Sequence, residues 1–336
     1  MKEILLKMML TTGAFAPFRL AHRSQSLILT YHRFSAKPES RKISALAFAE
    51  HLSYLKKYYN IVPLERIAES VSTSARGSKL AAITIDDGYR DAYEIAYPIL
   101  REYDLPATVF IVTDFLDGKN WVWTDKIRYV TMNTVFDEMN LIINNRRIQL
   151  KLDRAEARHE AATLLNSQLK KLPDDEKEKS IQKIALDLKV EIPKVPPAEY
   201  APISWEQARE IDTNGISIGS HTVTHPILIN VDSSRLNFEL NASRLRIQEK
   251  LGRKEETFCY PDGAYNTKIK EAVARAGYRC AVITRHGFND SYSDLFALRR
   301  FHDEPDLARF AQTTSGFEQV KQLVRKAVGA SELANE

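Results

Sequence analysis

The sequence LAAITIDDG, residues 80–88, is an apolar run that ends in two aspartates and a glycine. An apolar run of this length, bounded by turn-forming residues, predicts a buried β-strand over 80–85. A helical pattern follows over 90–103, where Pro98 is expected to kink the helix. Similar strand and helix patterns alternate along much of the chain, so this stretch defines the unit from which the fold is predicted.

Six further short apolar runs alternate with helical patterns. They begin at Leu27, Pro106, Ile216, Thr257, Tyr278 and Ala297. Strands that alternate with helices predict a parallel sheet, and seven such units predict a closed or nearly closed barrel. The predicted fold class is therefore α/β, a distorted seven-stranded (β/α) barrel with a helical insertion.

The insertion is predicted from a change of composition in the middle of the chain. Residues 151–190 contain 17 charged side chains at helical spacing, which is typical of solvated helix faces, and a small hairpin is predicted at Asn144–Asn145. The predicted organisation has four parts: a leader over 1–24, the barrel over 25–117 and 201–305, the insertion over 118–200, and a helical tail over 306–336.

Composition excludes several classes of protein. The chain has 336 residues, 44% of them hydrophobic and 27% charged, as in ordinary globular proteins rather than disordered ones. Its net charge of +4 is too small and too scattered to indicate nucleic-acid binding. The two cysteines, Cys259 and Cys280, exclude a disulfide scaffold and a zinc site of four thiolates, and we expect both to be reduced and buried.

The first twenty residues combine basic and apolar side chains. Lys2 and Lys7 precede a short apolar run, but Thr11 and Thr12 interrupt it, so the segment resembles a signal peptide only loosely. No apolar run approaches the roughly 18 residues that a membrane span needs. The pattern predicts an amphipathic helix or a disordered leader, with peripheral membrane contact as the alternative.

Three polar segments directly follow predicted strands: TIDDG over 84–88, SHTVTH over 220–225 and YPDG over 260–263. The carboxyl ends of parallel strands meet at one end of a barrel, where active sites are built. Each segment alone is weak evidence. Asp-Asp-Gly is also a common turn, and the two imidazoles of His-x-x-x-His can converge on one ion if the segment is helical. Together, two histidines and one carboxylate could bind a metal while the second aspartate acts as a base.

With these motifs the chain resembles the polysaccharide deacetylases, carbohydrate esterase family four, which are also described by the nodulation-type chitooligosaccharide deacetylase domain. The resemblance extends from about Leu27 to Phe301. TIDDG corresponds to the family's Thr-Phe-Asp-Asp-Gly motif, and HTVTH over 221–225 corresponds to its His-(Ser/Thr)-x-x-His motif. The resemblance implies a metal-dependent hydrolase on a (β/α) barrel.

The resemblance also implies a role for each matching residue. Asp86 would be the general base, and Asp87, His221 and His225 would hold a divalent metal, most commonly zinc, with cobalt or manganese as alternatives. The metal activates water and polarises the acyl oxygen in such sites. A backbone N–H near Asp262 would stabilise the oxyanion.

The third motif departs from the family pattern. It usually reads Arg-Pro-Pro-Tyr-Gly, whereas this chain has CYPDG over 259–263, so the arginine that orients the base is missing. Arg299 or Arg300 could replace it. We favour Arg300, because alternation along a strand would place it on the same face as Leu298.

The family's Leu-x-x-His motif, which supplies the general acid, is not evident either. His32 follows the first predicted strand within TYHRF, and some exopolysaccharide-modifying members carry such a Tyr-His there, so the resemblance implies that the acid role could have moved to His32. His302 is the second candidate. We expect structural roles for the other histidines considered, His22, His51, His159 and His286.

The predicted function is removal of N-acetyl groups from an amino-sugar polysaccharide, oligosaccharide or lipid-linked sugar. The alternatives are an O-acetyl esterase or deformylase on a surface glycan, and an inactive glycan-binding barrel. The Tyr-His start and the Tyr-Pro-x-Gly motif favour the branch of bacterial exopolysaccharide enzymes. We expect a carbohydrate substrate, no nucleic acid, and a cytoplasmic or membrane-peripheral location, with the periplasm as the alternative; the sequence indicates no oligomeric state.

Overall fold

A computed structural model of the chain describes residues 2–73, 79–143 and 146–327. The strands of the described part are β1 (Leu27–Tyr31), β2 (Phe34–Ser35), β3 (Ile43–Ser44), β4 (Asn60–Ile61), β5 (Leu80–Ile85), β6 (Thr108–Ile111), β7 (Glu138–Ile143), β8 (Arg146–Lys151), β9 (Ser217–Ser220), β10 (Thr257–Cys259), β11 (Cys280–Val282) and β12 (Phe301–His302). Seven of them form one curled parallel sheet in the order β11-β10-β9-β6-β5-β1-β12, and β4 pairs with the beginning of β5. The predicted α/β fold, a distorted seven-stranded (β/α) barrel, is confirmed.

The last sheet strand begins later than predicted, at Phe301 instead of Ala297. The chain first runs beside β11, where the Leu298 N–H donates to the carbonyl oxygen of Ala281 at 2.9 Å. It then crosses to β1, where Phe301 pairs with Leu29. Residues 298–302 therefore connect the two edges of the sheet, and only their last part has regular strand pairing.

Alternate residues of the strands face opposite sides of the sheet. On β1, Leu27, Leu29 and Tyr31 belong to the main hydrophobic cluster with the surrounding helices, whereas Ile28 belongs to a second cluster with Phe110 of β6 and residues of three other strands, β5, β10 and β11. The second face is the interior of the barrel. Both faces are buried, which explains why the strands are continuous apolar runs.

The helices surround this sheet and include the predicted insertion segments. They are α1 (Lys2–Thr11), α2 (Ala16–Ala21), α3 (Ala45–Tyr58), α4 (Leu64–Ser72), α5 (Tyr97–Tyr103), α6 (Thr113–Leu116), α7 (Trp123–Asn133), α8 (Ala155–Leu169), α9 (Asp174–Asp187), α10 (Trp205–Thr213), α11 (Ser233–Leu251), α12 (Thr267–Arg275), α13 (Leu307–Thr314) and α14 (Phe317–Ala327). The helix predicted over 90–103 instead begins with a π-helical turn over Ala92–Ala96. Pro98, at the start of α5, has no N–H to donate to the preceding turn, which is consistent with this change of geometry.

The segment between the two halves of the barrel has a hydrophobic cluster of its own. Helices α7, α8 and α9 pack with the antiparallel pair β7 and β8, and Leu165 and Ile181 are fully buried in this cluster. The predicted turn at Asn144–Asn145 lies outside the described residues, although Ile143 and Arg146 on either side of it pair with each other. Charged residues therefore cover a small apolar core here.

The N-terminal segment is helical and packs on the barrel. Leu6 of α1 and Phe15, which precedes α2, are both buried in the main cluster. Ile4, Leu5 and Met8 remain exposed. Among the described residues, no helix has both the length and the apolar character that crossing a membrane would require.

Candidate active site

The polar segments predicted at strand ends meet at one end of the barrel. They surround a cavity of about 400 Å³. Its lining residues come from the ends of six sheet strands and from the segment after α6: His32, Asp86, Asp87, Val122, Thr124, His221, His225, Tyr260, Asp262, Thr284 and His302. Six of the seven predicted site residues line this cavity, and the seventh, Arg300, is buried behind Asp86.

Asp87, His221 and His225 form a compact set of groups that could hold a metal ion. The Asp87 Oδ1 atom lies 3.4 Å from Nε2 of His221 and 3.4 Å from Nε2 of His225. All three ligand atoms lie within 4.8 Å of one another. Two imidazoles and one carboxylate suit zinc and leave coordination positions open for water and substrate, so this donor set fits a catalytic divalent metal.

The two histidines do not converge on one face of a helix, which is the geometry that the sequence reasoning invoked. Residues 221–225 form an irregular turn in which Thr222 and His225 have positive φ values of 72° and 60°. The Thr222 hydroxyl accepts the His225 N–H at 3.0 Å. Asp87 also has a positive φ, 75°. Such backbone conformations cost about 1–3 kcal/mol each in non-glycine residues and occur preferentially at functional sites.

Neighbouring groups orient these side chains. His221 Nδ1 lies 2.7 Å from the carbonyl oxygen of Cys259, an acceptor, so Nδ1 donates and Nε2 is left to face Asp87. Burial raises the pKa of Asp87, but the hydrogen bond from His221 and the proximity of His225 outweigh this effect and lower the pKa to about 2. Burial lowers the pKa of His225 to about 3. Burial lowers the pKa of His221, but Cys259 and the hydrogen bond to Asp87 raise it well above its usual range, so metal binding must displace the proton on Nε2. The ionised Asp87 and the neutral His225 already have the protonation state that metal binding requires.

Asp86 is held by Arg300 in the interior of the barrel. Arg300 donates from Nη1 to Asp86 Oδ1 and from Nη2 to Asp86 Oδ2, each at 2.7 Å, and both residues are fully buried. Arg300 also donates to Thr84 Oγ1 at 2.9 Å and to the Ile283 carbonyl oxygen at 3.0 Å. Burial raises the pKa of Asp86, but the charge and hydrogen bonds of Arg300 outweigh this and hold the pKa well below its usual range.

Cys259 stands where the family motif has its arginine. Its Sγ atom lies 3.2 Å from Arg300 Nη2 and 3.5 Å from Asp86 Oδ2. The small thiol leaves room for the guanidinium group of Arg300, the residue directly before β12. Cys259 and Cys280 are both free and buried, as predicted.

The two histidine candidates for the acid have different environments. His32 Nε2 lies 3.7 Å from Asp86 Oδ2, and the His32 side chain is 41% exposed in the cavity. His302 Nε2 lies 3.1 Å from the Thr284 carbonyl oxygen, to which it donates. Burial, followed by the nearby charge of His286, lowers the pKa of His302 to about 4.

Asp262 lies in a tight turn after β10, with a positive φ of 58°. Its carboxylate forms an ion pair with Lys170, which follows α8. The turn therefore lines the cavity and also contacts the segment between the two halves of the barrel. The contact with Lys170 was not predicted from the sequence.

Comparison with known proteins agrees with the motifs and the geometry. The model of the polysaccharide deacetylase family matches residues 73–281. The chain belongs to the polysaccharide deacetylase family. It is therefore an enzyme, a polysaccharide deacetylase acting on amide bonds.

This polysaccharide deacetylase is similar to a curated protein in sequence and to solved structures in fold. The chain is 21% identical to Putative polysaccharide deacetylase YxkH of Bacillus subtilis over 84% of this chain and 72% of that protein. The deacetylase PplD of Streptococcus pyogenes, solved in complex with acetate, has a TM-score of 0.58 at 18% identity, covering 88% of this chain and 98% of that one. IcaB from Ammonifex degensii has a TM-score of 0.55 at 18% identity, covering 86% of this chain and 97% of that one. At these identities the two structures show a shared fold.

The segment matched by the polysaccharide deacetylase model contains some of the predicted site residues and not others. It contains all the metal-binding candidates, Asp86 and Asp262, whereas His32 and Arg300 lie outside it. His32 directly follows β1 and Arg300 directly precedes β12, and these two strands pair with each other in the sheet. Tertiary structure thus brings the residues that depart from the family motifs beside those that match them.

The sequence analysis did not identify Glu239, which supports the turn over 221–225 in this polysaccharide deacetylase. Glu239 is fully buried in α11 and accepts the N–H groups of Val223 and Thr224 at 2.7 and 3.0 Å. Burial raises the pKa of the Glu239 carboxyl. A signal was present, because Glu239 occupies a core position between Leu236 and Leu240 on an otherwise amphipathic helix.

Proposed function

We propose that this polysaccharide deacetylase is a metal-dependent hydrolase that removes N-acetyl groups from an amino-sugar polysaccharide, oligosaccharide or lipid-linked sugar. The observation that carries the proposal is the Asp87 carboxylate 3.4 Å from two imidazole nitrogens, beside the separately anchored Asp86. One group can bind a metal and the other can accept a proton. The acetate bound to PplD, a protein of the same fold, is the acid that deacetylation releases.

Asp87, His221 and His225 would hold the metal, with zinc favoured by the donor set and cobalt or manganese as alternatives. A divalent metal bound there supplies Lewis acidity, which lowers the pKa of water and polarises the acyl oxygen. The chain's contribution is to keep the carboxylate ionised and the imidazole nitrogens aimed at the carboxylate. The hydrogen bond from His221 to Cys259 serves that purpose.

Asp86 would act as the general base. It accepts the proton of the attacking water while Arg300 holds both of its oxygens in place. Arg300 is a positioning residue, since it lies behind Asp86 and does not line the cavity. A backbone N–H near Asp262 would donate to the oxyanion, because the turn that contains Asp262 lines the same cavity.

His32 would act as the general acid. An amine leaves poorly unless it is protonated, so the reaction needs a donor within the cavity. The His32 ring is close to Asp86 and half-exposed, whereas His302 Nε2 already donates to Thr284. When the carbon–nitrogen bond breaks, the proton from His32 goes to the nitrogen and acetate is released.

Hydrolysis of N-acetylated chito-oligosaccharides with and without a chelator tests this function. We expect acetate release to stop after metal removal and to return with stoichiometric zinc. Activity that survives complete metal removal would contradict the proposal. Matched O-acetyl and N-formyl sugars separate the esterase and deformylase alternatives, and glycan binding without metal or turnover would indicate an inactive barrel.

We also propose peripheral membrane contact through α1, in line with a membrane-peripheral location. Ile4, Leu5 and Met8 are exposed on this helix beside the exposed Lys7. Apolar side chains flanked by a cation suit the surface of an anionic bilayer. Co-sedimentation with anionic vesicles should fall strongly in Leu5→Asp and remain unchanged in Val195→Asp, a matched exposed apolar position elsewhere.

A further inference from the structure

A second, larger cavity adjoins the candidate active site. Its volume is about 760 Å³, and it shares His32, Asp87 and Thr124 with the first cavity. It lies between the loop over 32–42 of the barrel and helices α7 and α8 of the proposed insertion. Cavities of this size accommodate small ligands, and the shared residues make the space continuous with the metal-binding groups.

Six basic side chains line the second cavity: His32, Arg33, Arg41, Lys42, Arg128 and His159. Arg33 pairs with Asp91 and Lys42 with Glu39, and His32 is shared with the first cavity. The remaining three are Arg41 of the barrel loop, Arg128 of α7 and His159 of α8. The Arg41 Nη2 atom donates to Thr163 Oγ1 at 2.7 Å, and the Thr163 hydroxyl donates to the carbonyl oxygen of His159 at 2.9 Å. The Arg41 guanidinium group is thus anchored one helical turn from His159. Partial desolvation of the largely exposed Arg41 and the nearby charge of Arg128 both lower the pKa of Arg41, consistent with two guanidinium groups on the same cavity.

The positive charge of this cluster is incompletely neutralised. Arg41 has its hydrogen bond to Thr163 but no ion pair within the described ranges. Arg128 pairs with Asp125 at 2.5 Å, but its Nε atom is buried and has no partner in the described structure. His159 Nδ1 is likewise buried without a partner there. Cations that face one another across a cavity repel unless an anion lies between them.

Five carboxylates line the second cavity: Glu39, Asp87, Asp125, Glu199 and Asp303. Asp87 faces His221 and His225, whereas Glu199 and Asp303 form no ion pair within the described residues. Asp125 accepts Arg128 and also the Tyr89 hydroxyl at 2.5 Å, and Glu39 pairs with Lys42 at 2.9 Å. Glu199 is exposed, and its backbone carbonyl oxygen accepts from Arg33. None of these carboxylates forms an ion pair with Arg41 in the part of the chain that is described.

We propose that this cavity is a subsite for an anionic group, a phosphate or a carboxylate, which the substrate carries close to its acetylated sugar. The inference rests on the proposed function for the neighbouring site. Guanidinium groups present planar arrays of donors that match both phosphate and carboxylate oxygens. Arg41 and Arg128 would bind the anion, and the space shared with His32 and Asp87 would let one substrate reach both cavities.

Direct binding to the metal-free protein tests the subsite without relying on activity. Calorimetric titration with inorganic pyrophosphate and, separately, with glucuronate distinguishes phosphate from carboxylate recognition. We expect at least one anion to bind and Arg41→Gln to weaken it about tenfold, as for loss of one charge-assisted contact. Arg41 is exposed, so this variant should fold, and Thr163→Val, which removes only the anchor of Arg41, should weaken binding in the same direction.

Arg275→Gln is the matched control, because Arg275 is an exposed arginine of α12 whose ion pair within the described residues is with Glu271. It should bind the anion as the wild type does. Binding of neither anion by the wild type, or equal binding by wild type and Arg41→Gln, would overturn the proposal.

Activity supplies the second arm of the test. The ratio of kcat/KM for an N-acetylated oligosaccharide with uronic acid or phosphate groups to that for a neutral one should fall about tenfold in Arg41→Gln and stay constant in Arg275→Gln. An unchanged ratio in Arg41→Gln would contradict the subsite. If anions bind through Arg41 but no N-acetylated sugar is hydrolysed, the proposed function fails and the subsite stands. If N-acetylated sugars are hydrolysed but no anion binds, the subsite fails and the proposed function stands.

Discussion

Arg300 and Asp86 form a bidentate ion pair in the interior of the barrel, with two hydrogen bonds of 2.7 Å. They are 214 residues apart in the chain and both are fully buried. Because a buried charge needs a partner, each group stabilises the ionised form of the other. The pair links the fold to the proposed chemistry, since the same contact holds the candidate base and joins the last strand to β5.

Replacement of Arg300 should separate its positioning role from its role in stability. A lysine keeps the charge but cannot donate two parallel hydrogen bonds, so in Arg300→Lys we expect kcat to fall at least about tenfold with metal content unchanged. Arg300→Leu leaves the Asp86 carboxylate buried without a partner and should lower the free energy of unfolding by about 3–5 kcal/mol. Steady-state kinetics, metal analysis and urea unfolding measure these effects.

Arg299→Lys is the control for these variants, because Arg299 is exposed and adjacent in sequence. It should match the wild type in kcat and in stability. Wild-type kcat in Arg300→Lys would show that the bidentate contact is not needed to position Asp86.

Asp86 should differ from the proposed metal ligands in its effect on metal binding. Asp86→Asn removes a base but not a proposed ligand, so turnover should fall by a factor of at least about 10² while metal stoichiometry is retained. His221→Ala removes a ligand, so metal and turnover should both be lost. Metal analysis after dialysis, with acetate release, checks both variants. Loss of metal in Asp86→Asn would place Asp86 among the ligands.

Substitution of the two cavity histidines should identify the acid. His32→Gln is expected to lower kcat on an N-acetyl amide by about 10²–10⁴, because the amine would leave unprotonated. On an activated aryl acetate the effect should be small, since that leaving group needs no proton. His302→Gln, the matched variant, should affect both substrates equally and modestly. The reverse pattern would assign the acid role to His302.

His51 should make stability depend on pH. Its ring is fully buried and stacks on Phe310 with centroids 3.8 Å apart, and burial lowers its pKa to about 4. The unfolded chain binds this proton near pH 6.5, so the free energy of unfolding should fall as pH decreases from about 6.5 to about 4, by up to about 3 kcal/mol.

Urea unfolding of wild type and His51→Gln at several pH values, in the same metal state, measures this effect. The variant is destabilised at neutral pH, but its free energy of unfolding should fall less between pH 6.5 and 4. Parallel pH profiles would show that His51 does not account for the dependence.

Much of the fold could be predicted because its signals are local. The run over 80–85 is apolar because both faces of β5 are buried, and that pattern needs no knowledge of the rest of the chain. The boundary of β12 could not be predicted, because residues 298–302 change partner from β11 to β1. Composition does not record which neighbour a backbone hydrogen bond selects.

The sequence by itself determined the strand-helix alternation and the positions of Asp87, His221 and His225 after strands, and the parallel arrangement of those strands explains why the three meet. Tertiary structure alone decided that Arg300 reaches Asp86, that the turn over 221–225 is irregular and that Glu239 supports it. The reason is physical: residue type and spacing are set along the chain, whereas the partner of a buried charge depends on how distant segments pack and which way each side chain points.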